Sequence, residues 1–198
     1  MFEHLVFLLL VVFLALLLTY HSYKFRGSIN TVCLVIISGG IGALVEFLGV
    51  LSGGYYYGTL PIALVIFLTG FGWIANVLIA FHLTIVILNI EYNKPLRLFE
   101  SLKISLAAGL IGVIYDLFTD PVATAIGLWS WRTKGFWFGV PLQNFIGWFF
   151  LISISIFCYH IALSLSSKPL MKILYSIILA IIGSVAVFFG LLIASILI

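Results

Sequence analysis

Six long apolar runs, separated by short polar breaks, dominate this sequence and restrict what it can fold into. An apolar helix needs about 20 residues to cross a bilayer. Only 8% of the 198 residues are charged, against about 25% in a typical soluble domain. We therefore predict an all-α fold, a polytopic transmembrane helix bundle of about six spans in which residues 1–198 form a single integral-membrane domain. The runs cover residues 5–20, 31–51, 60–90, 102–119, 141–163 and 170–198.

The third run is longer than a simple span, and Thr69, Gly70 and Gly72 interrupt it. It predicts either one long tilted helix or a re-entrant or broken segment followed by a full crossing. The basic residues favour six crossings in total, because a second crossing by this run would remove their bias toward one side. With six crossings, one side carries Lys24, Arg26, Lys94, Arg97, Lys103, Lys168 and Lys172, and the other carries Arg132 and Lys134.

Short loops rich in Lys and Arg stay in the cytoplasm. We therefore expect a multi-pass protein of the cell (plasma) membrane with both chain ends outside. No Lys or Arg precedes the first run, so we expect no removable signal peptide.

Several function classes receive no support from the sequence. The nine basic residues are scattered, which argues against a nucleic-acid partner. Cys33 and Cys158 lie inside apolar runs and predict packing residues. The histidines lack metal-ligand spacing, so we expect no metal site. His82 lies deep in the third run and predicts either a contact between helices or part of a water path.

Two stripes of small residues carry the acidic residues of the spans. The first consists of Gly39, Gly42, Glu46, Gly49 and Gly53, and the second of Ser105, Gly109, Gly112, Asp116 and Asp120. Steps of three and four place each stripe on one helix face, where small residues let a neighbouring helix approach closely. We expect the three carboxyl groups to point into the bundle, and Pro121 to end the fourth helix just after Asp120.

Other polar and aromatic residues reach the same outer level in the six-span topology. Trp73 and Asn76 share a face of the third helix, and Asn144 and Trp148 share a face of the fifth. We expect this cluster on the extracytoplasmic side. Tyr55, Tyr56 and Tyr57 predict either a lining of the same mouth or an interfacial aromatic belt. Four of the five tryptophans lie at 129, 131, 137 and 148, a concentration that favours a lid or lining.

Three dense segments carry a resemblance to a known family. They are YDLFTDPVA at 115–123, GLWSW at 127–131 and FGVPLQNFIGW at 138–148, and Glu46 with the tyrosine loop after it adds a fourth match within 39–58. In these segments the chain resembles the carotenoid biosynthesis membrane protein family, which contains CruF-type carotenoid 1,2-hydratases and bisanhydrobacterioruberin hydratase.

The resemblance implies addition of water to the terminal isopropylidene double bond of a linear carotenoid or a related polyprenyl lipid. A buried carboxylic acid can remain neutral and donate a proton, and aromatic faces stabilise the tertiary carbocation that results. This chemistry needs no redox cofactor. The expected partners are an apolar isoprenoid taken from the bilayer, membrane lipids and other carotenoid-pathway enzymes.

Roles follow from the resemblance and from position. Asp116 or Glu46 is the expected proton donor, and Asp120 and Asn144 are expected to hold water. The expected substrate-binding residues are Tyr55, Tyr57, Trp73, Asn76, Tyr115, Trp129, Trp131, Trp137 and Trp148.

Two other functions stay open at this point. Asp116 and Asp120 are spaced as in a magnesium site for an isoprenyl diphosphate, as in UbiA-like prenyltransferases, although no partner NDxxD motif is present. Alternatively, the carboxyl groups pair structurally in a non-catalytic lipid carrier or assembly subunit.

Overall fold

The part of the chain that the structure describes forms a bundle of six helices, each long and apolar enough to cross a membrane. This is a computed structural model that describes residues 2–57, 61–91, 96–132 and 135–197. It confirms an all-α integral membrane protein with six candidate spans. The helices are α1 (Phe2–Arg26), α2 (Ser28–Leu51), α3 (Ile62–Ile87), α4 (Leu98–Ala125), α5 (Leu142–Ser164) and α6 (Pro169–Leu197).

The third apolar run forms one uninterrupted helix, α3, so the re-entrant or broken alternative is wrong. Its small residues serve packing. Gly70 faces Ala43 of α2, where a methyl group added to Gly70 would lie 3.7 Å from the Ala43 Cβ. The Thr69 hydroxyl donates to the Ile66 carbonyl at 3.2 Å, which satisfies it inside the helix.

The fourth helix does not end at Pro121 as expected but continues to Ala125. A proline has no N–H, so the carbonyl four residues earlier loses its partner. That carbonyl belongs to Leu117, and the indole nitrogen of Trp137 donates to it at 2.9 Å. A side chain from the following loop therefore replaces the missing backbone donor, and the helix extends past the proline.

The glycines of both stripes that pack tightly lie at helix interfaces, whereas Gly53 lies outside α2 in the turn that follows it. A methyl group on Gly42 of α2 would overlap the Trp73 side chain of α3. Methyl groups on Gly109 and Gly112 of α4 would overlap Ser153 and Ile152 of α5. The glycines thus allow the close approach that positions the acidic residues in the same stripes.

A short antiparallel pairing joins the loop after α2 to the loop after α4. Strand β1 (Tyr55–Tyr56) pairs with β2 (Ser130–Trp131), with Tyr55 opposite Trp131 and Tyr56 opposite Ser130. Arg132 donates from Nε to the Tyr56 hydroxyl and lies 5.0 Å from the centre of that ring. These contacts hold the two loops together over one end of the bundle.

The histidines of the spans lie in the other half of the bundle. The His82 ring packs on the His21 ring of α1, with 4.7 Å between ring centroids. His160 packs on Phe81, and the Arg26 guanidinium lies 4.0 Å from the centre of the Phe81 ring. His82 therefore makes a contact between helices, the first of its two interpretations.

Candidate active site

A pair of buried carboxyl groups on α4 meets an amide from α5. Asp116 is completely buried and Asp120 nearly so. The side-chain nitrogen of Asn144 donates to Asp116 at 2.8 Å and also donates to Asp120. The two aspartates are one helical turn apart, and their carboxyl groups accept hydrogen bonds from the same Asn144 nitrogen. One amide therefore holds two acids together in a space that excludes bulk water.

The third carboxyl group, Glu46 of α2, has two donors of its own. The indole nitrogen of Trp73 donates to Oε1 at 2.9 Å, and the hydroxyl of Tyr57 donates to Oε2 at 2.9 Å. Glu46 is half-buried. A carboxylate is an acceptor with about four lone-pair positions, so these two bonds fix its orientation and leave it able to accept more.

A cavity of about 470 Å³ connects these groups. Glu46, Asp120 and Asn144 line it, together with polar groups from α3 and α4 that include Asn76 and Thr119. Asp116 lies behind this surface, since it is bonded to Asn144 but does not line the cavity. The remaining wall is mostly aliphatic and aromatic, which is typical of a site for an apolar ligand with a few fixed polar contacts.

Aromatic rings surround the polar groups. Trp73 and Trp148 pack with 4.7 Å between ring centroids, and Tyr115 lies 6.2 Å from Trp148. On the loop side, Trp129 lies 5.7 Å from Tyr57. All five residues line the cavity. A cation within about 6 Å of such rings is stabilised by their π-electrons.

Comparison with known proteins agrees with this architecture. The family model described as carotenoid biosynthesis protein matches residues 4–198. The chain belongs to this family. No curated protein and no solved structure shows a significant match to it.

In this carotenoid biosynthesis protein, the four proposed catalytic residues come together from three helices. Asp116 and Asp120 come from α4, Asn144 from α5 and Glu46 from α2. Most of the proposed substrate-binding residues line the same cavity. These are Tyr57, Trp73, Asn76, Tyr115, Trp129, Trp131 and Trp148.

Two proposed substrate-binding residues stand apart from these. Trp137 is not among the cavity-lining residues, is 40% exposed and donates to the Leu117 carbonyl instead. Tyr55 belongs to β1, but its side chain lies outside the described residues.

One wall of the cavity could not be predicted from the sequence. Residues of α1 supply it, namely Phe7, Leu8, Leu10, Val11 and Leu14. A leucine that faces a ligand and a leucine that faces lipid are chemically identical, so composition and periodicity do not separate them. Within the described part of the chain, no group of three or more His, Cys, Asp or Glu could hold a metal ion.

Proposed function

We propose that this protein is a membrane-embedded hydratase. It adds water to the terminal isopropylidene double bond of a linear carotenoid or related polyprenyl lipid, giving a tertiary alcohol. The observation that carries the proposal is one apolar cavity lined by Asp120, whose buried partner Asp116 lies behind it, and by the separately held Glu46, with aromatic rings on the same wall. Membership of the carotenoid biosynthesis family supports the substrate class.

The first step transfers a proton to the CH carbon of the double bond, and we assign it to Asp120 in place of the donors expected from the sequence, Asp116 or Glu46. Asp120 is the member of the acid pair that lines the cavity. Two buried carboxyl groups one helical turn apart disfavour double ionisation, because like charges repel and burial penalises each charge, so the pair retains a proton to donate. Asp116 lies behind Asn144 and takes part by sharing that proton with Asp120. The π electrons form the new C–H bond and leave the positive charge on the carbon that bears two methyl groups.

The second step captures the cation with water. The rings of Trp73, Trp148 and Tyr115 stabilise the charge by about 0.5–2 kcal/mol each. Glu46 accepts a hydrogen bond from the attacking water and takes the proton that the water loses when its C–O bond forms. Return of that proton to the acid pair restores the site. Atoms and charge balance as alkene plus water giving alcohol, with no change of oxidation state.

The magnesium-dependent transferase has less support from the same geometry. Asn144 directs its amide hydrogens at both Asp116 and Asp120. Both carboxyl groups are thus already held by an N–H donor, and the sequence has no partner NDxxD motif to complete a magnesium site for a diphosphate.

For location, we propose the plasma membrane with the cavity at the extracytoplasmic end. The charge bias of the loops supports this orientation. Substrate then arrives from the bilayer, and water arrives from the adjacent interface.

The test is expression of the full chain in a lycopene-producing host, followed by mass spectrometry of the pigments. We expect products that have gained one water molecule. Asp120→Asn and Glu46→Gln should abolish them, and the matched control Glu91→Gln, a change at an exposed carboxylate outside the cavity, should retain them. Prenylated products that require magnesium would identify a transferase. Unchanged pigment bound to purified protein would identify a carrier.

A further inference from the structure

The cavity reaches the lipid-facing surface between α1 and α4. Leu10 on α1 lines the cavity and is 59% exposed, and Phe118 and Val122 on α4 line it and are 70% and 59% exposed. A side chain that borders a cavity and is mostly exposed marks the place where the cavity opens. By contrast, Trp73 and Trp148 line the cavity and are buried.

This opening lies within the spans, because α1 and α4 are both candidate membrane helices. Both helices pack against α3, so they form two sides of a gap with α3 at its back. Phe118 and Val122 are one turn apart on α4. Thr119 and Asp120, which lie between them in the sequence, also line the cavity. The gap therefore leads from hydrocarbon to the cavity-facing acid.

The volume limits how much of a ligand fits inside. An apolar cavity of about 150 Å³ holds benzene, or about 25 Å³ per carbon atom. On this scale the cavity volume of 470 Å³ corresponds to about 19 carbon atoms, or nearly four isoprene units. A full-length linear carotenoid is longer than this and cannot be enclosed.

We propose that the gap between α1 and α4 is a lateral entrance that admits one end of a linear isoprenoid. The first four or so isoprene units occupy the cavity, as the volume allows, and the rest of the chain stays in the bilayer. The protein then recognises the end group and its adjoining units, not the total length. This inference rests on the proposed function for the identity of the ligand, while the entrance itself rests on the position and exposure of Leu10, Phe118 and Val122.

Bulky substitutions at the rim, which we define as Leu10, Phe118 and Val122, test the entrance. Leu10→Trp and Val122→Trp place an indole in the gap. Leu9→Trp on α1 and Ile114→Trp on α4 are matched controls, because Leu9 and Ile114 are 61% and 59% exposed and do not line the cavity. Binding of lycopene to the full chain in lipid nanodiscs is followed by induced circular dichroism of the pigment. We expect the rim variants to bind about tenfold more weakly and the controls to bind as the unsubstituted protein does.

A length series tests the partial enclosure. The probes are linear isoprenoid hydrocarbons that share the isopropylidene end and grow by one isoprene unit at a time, each measured by competition with lycopene. Affinity should rise up to about four units and then level off. Affinity that keeps rising to the longest probe would overturn partial enclosure, and equal behaviour of rim and control variants would overturn the entrance.

These outcomes are separate from those for the hydratase. If lycopene binds normally, the rim variants weaken this binding and no hydrated product forms, the entrance is supported and the hydratase proposal is contradicted. If Val122→Trp and Ile114→Trp form hydrated product equally well, the hydratase proposal is supported and the entrance is contradicted.

Discussion

At the scale of single residues, the three carboxyl groups differ by their partners. Asp116 and Asp120 share one amide, whereas Glu46 accepts from an indole and a phenol. In the proposed reaction the aspartate pair supplies a proton and Glu46 receives one. Residues of one chemical type would thus take the two opposite roles that the proposed hydration needs.

Loss of one donor to Glu46 should slow the reaction without preventing substrate binding. Tyr57→Phe removes the phenol that donates at 2.9 Å and keeps the ring that packs on Trp129. A hydrogen bond to a charged group contributes about 1.5–3 kcal/mol, so we expect the rate of hydration to fall at least about tenfold with little change in KM. The measurement is initial rate against lycopene concentration in nanodiscs.

Tyr56→Phe is the matched control for this prediction. Tyr56 is the neighbouring residue, and its hydroxyl interacts with Arg132 instead of Glu46. A fall of equal size in both variants would show that the loop pairing, and not the Glu46 contact, controls the rate.

At the scale of elements, α4 depends on a side chain beyond its own end. Trp137 bonds the Leu117 carbonyl that Pro121 leaves without a backbone partner. Asp116 and Asp120 stand in the same turns, so this bond supports the backbone that positions the acid pair.

Removal of the indole donor should destabilise the protein only while the proline is present. Trp137→Phe removes the donor to the Leu117 carbonyl and should cost about 0.5–1.5 kcal/mol of unfolding free energy, the net contribution of one hydrogen bond. Pro121→Ala restores an N–H at position 121, so Trp137→Phe should cost little in that background. Thermal unfolding of the two single variants and the double variant in nanodiscs measures this coupling. An equal cost in both backgrounds would contradict the role assigned to Trp137.

A second prediction at this scale concerns the close contact between α2 and α3. Gly42→Ala pushes a methyl group into Trp73, whose indole bonds Glu46. Overpacking of this kind costs about 1–3 kcal/mol, and displacement of the indole should also reduce hydration. Gly70→Ala, in the same interface with its nearest contact at 3.7 Å, should leave both properties unchanged. Thermal unfolding and product yield are measured for both variants, and equal losses would remove the link between this contact and the site.

The elements also show what the sequence could and could not predict. The apolar runs predicted the six helices, and the stripes predicted that Glu46, Asp116 and Asp120 turn inward, because burial of small residues and acids follows helical periodicity. The predicted end of α4 was wrong. The donor that replaces the missing N–H of Pro121 comes from Trp137, sixteen positions later in the sequence. The pairing of β1 with β2 could not be predicted from the sequence, because two-residue strands are too short to show a periodic pattern of apolar residues.

At the scale of the whole molecule, the distribution of charge predicts the orientation of the site. Glu46, Asp116 and Asp120 lie toward the loops that follow α2 and α4, and most basic residues of the sequence lie in the loops or near the helix ends on the opposite side. Basic loops stay in the cytoplasm, so the cavity should face the outside of the cell. The native Cys33 and Cys158 are buried, so they should react little with a thiol reagent and allow cysteine labelling at introduced positions.

Two single-cysteine reporters at opposite ends of the bundle test this orientation. Phe136 lies in the exposed loop after β2, and Ser167 lies in the exposed turn between α5 and α6. A membrane-impermeant maleimide applied to intact cells should label Phe136→Cys and leave Ser167→Cys unlabelled until the cells are opened. The reverse pattern would place the acid pair at the cytoplasmic face, and the water for hydration would then come from the cytosol. Labelling of both reporters in intact cells would contradict six crossings with a single orientation.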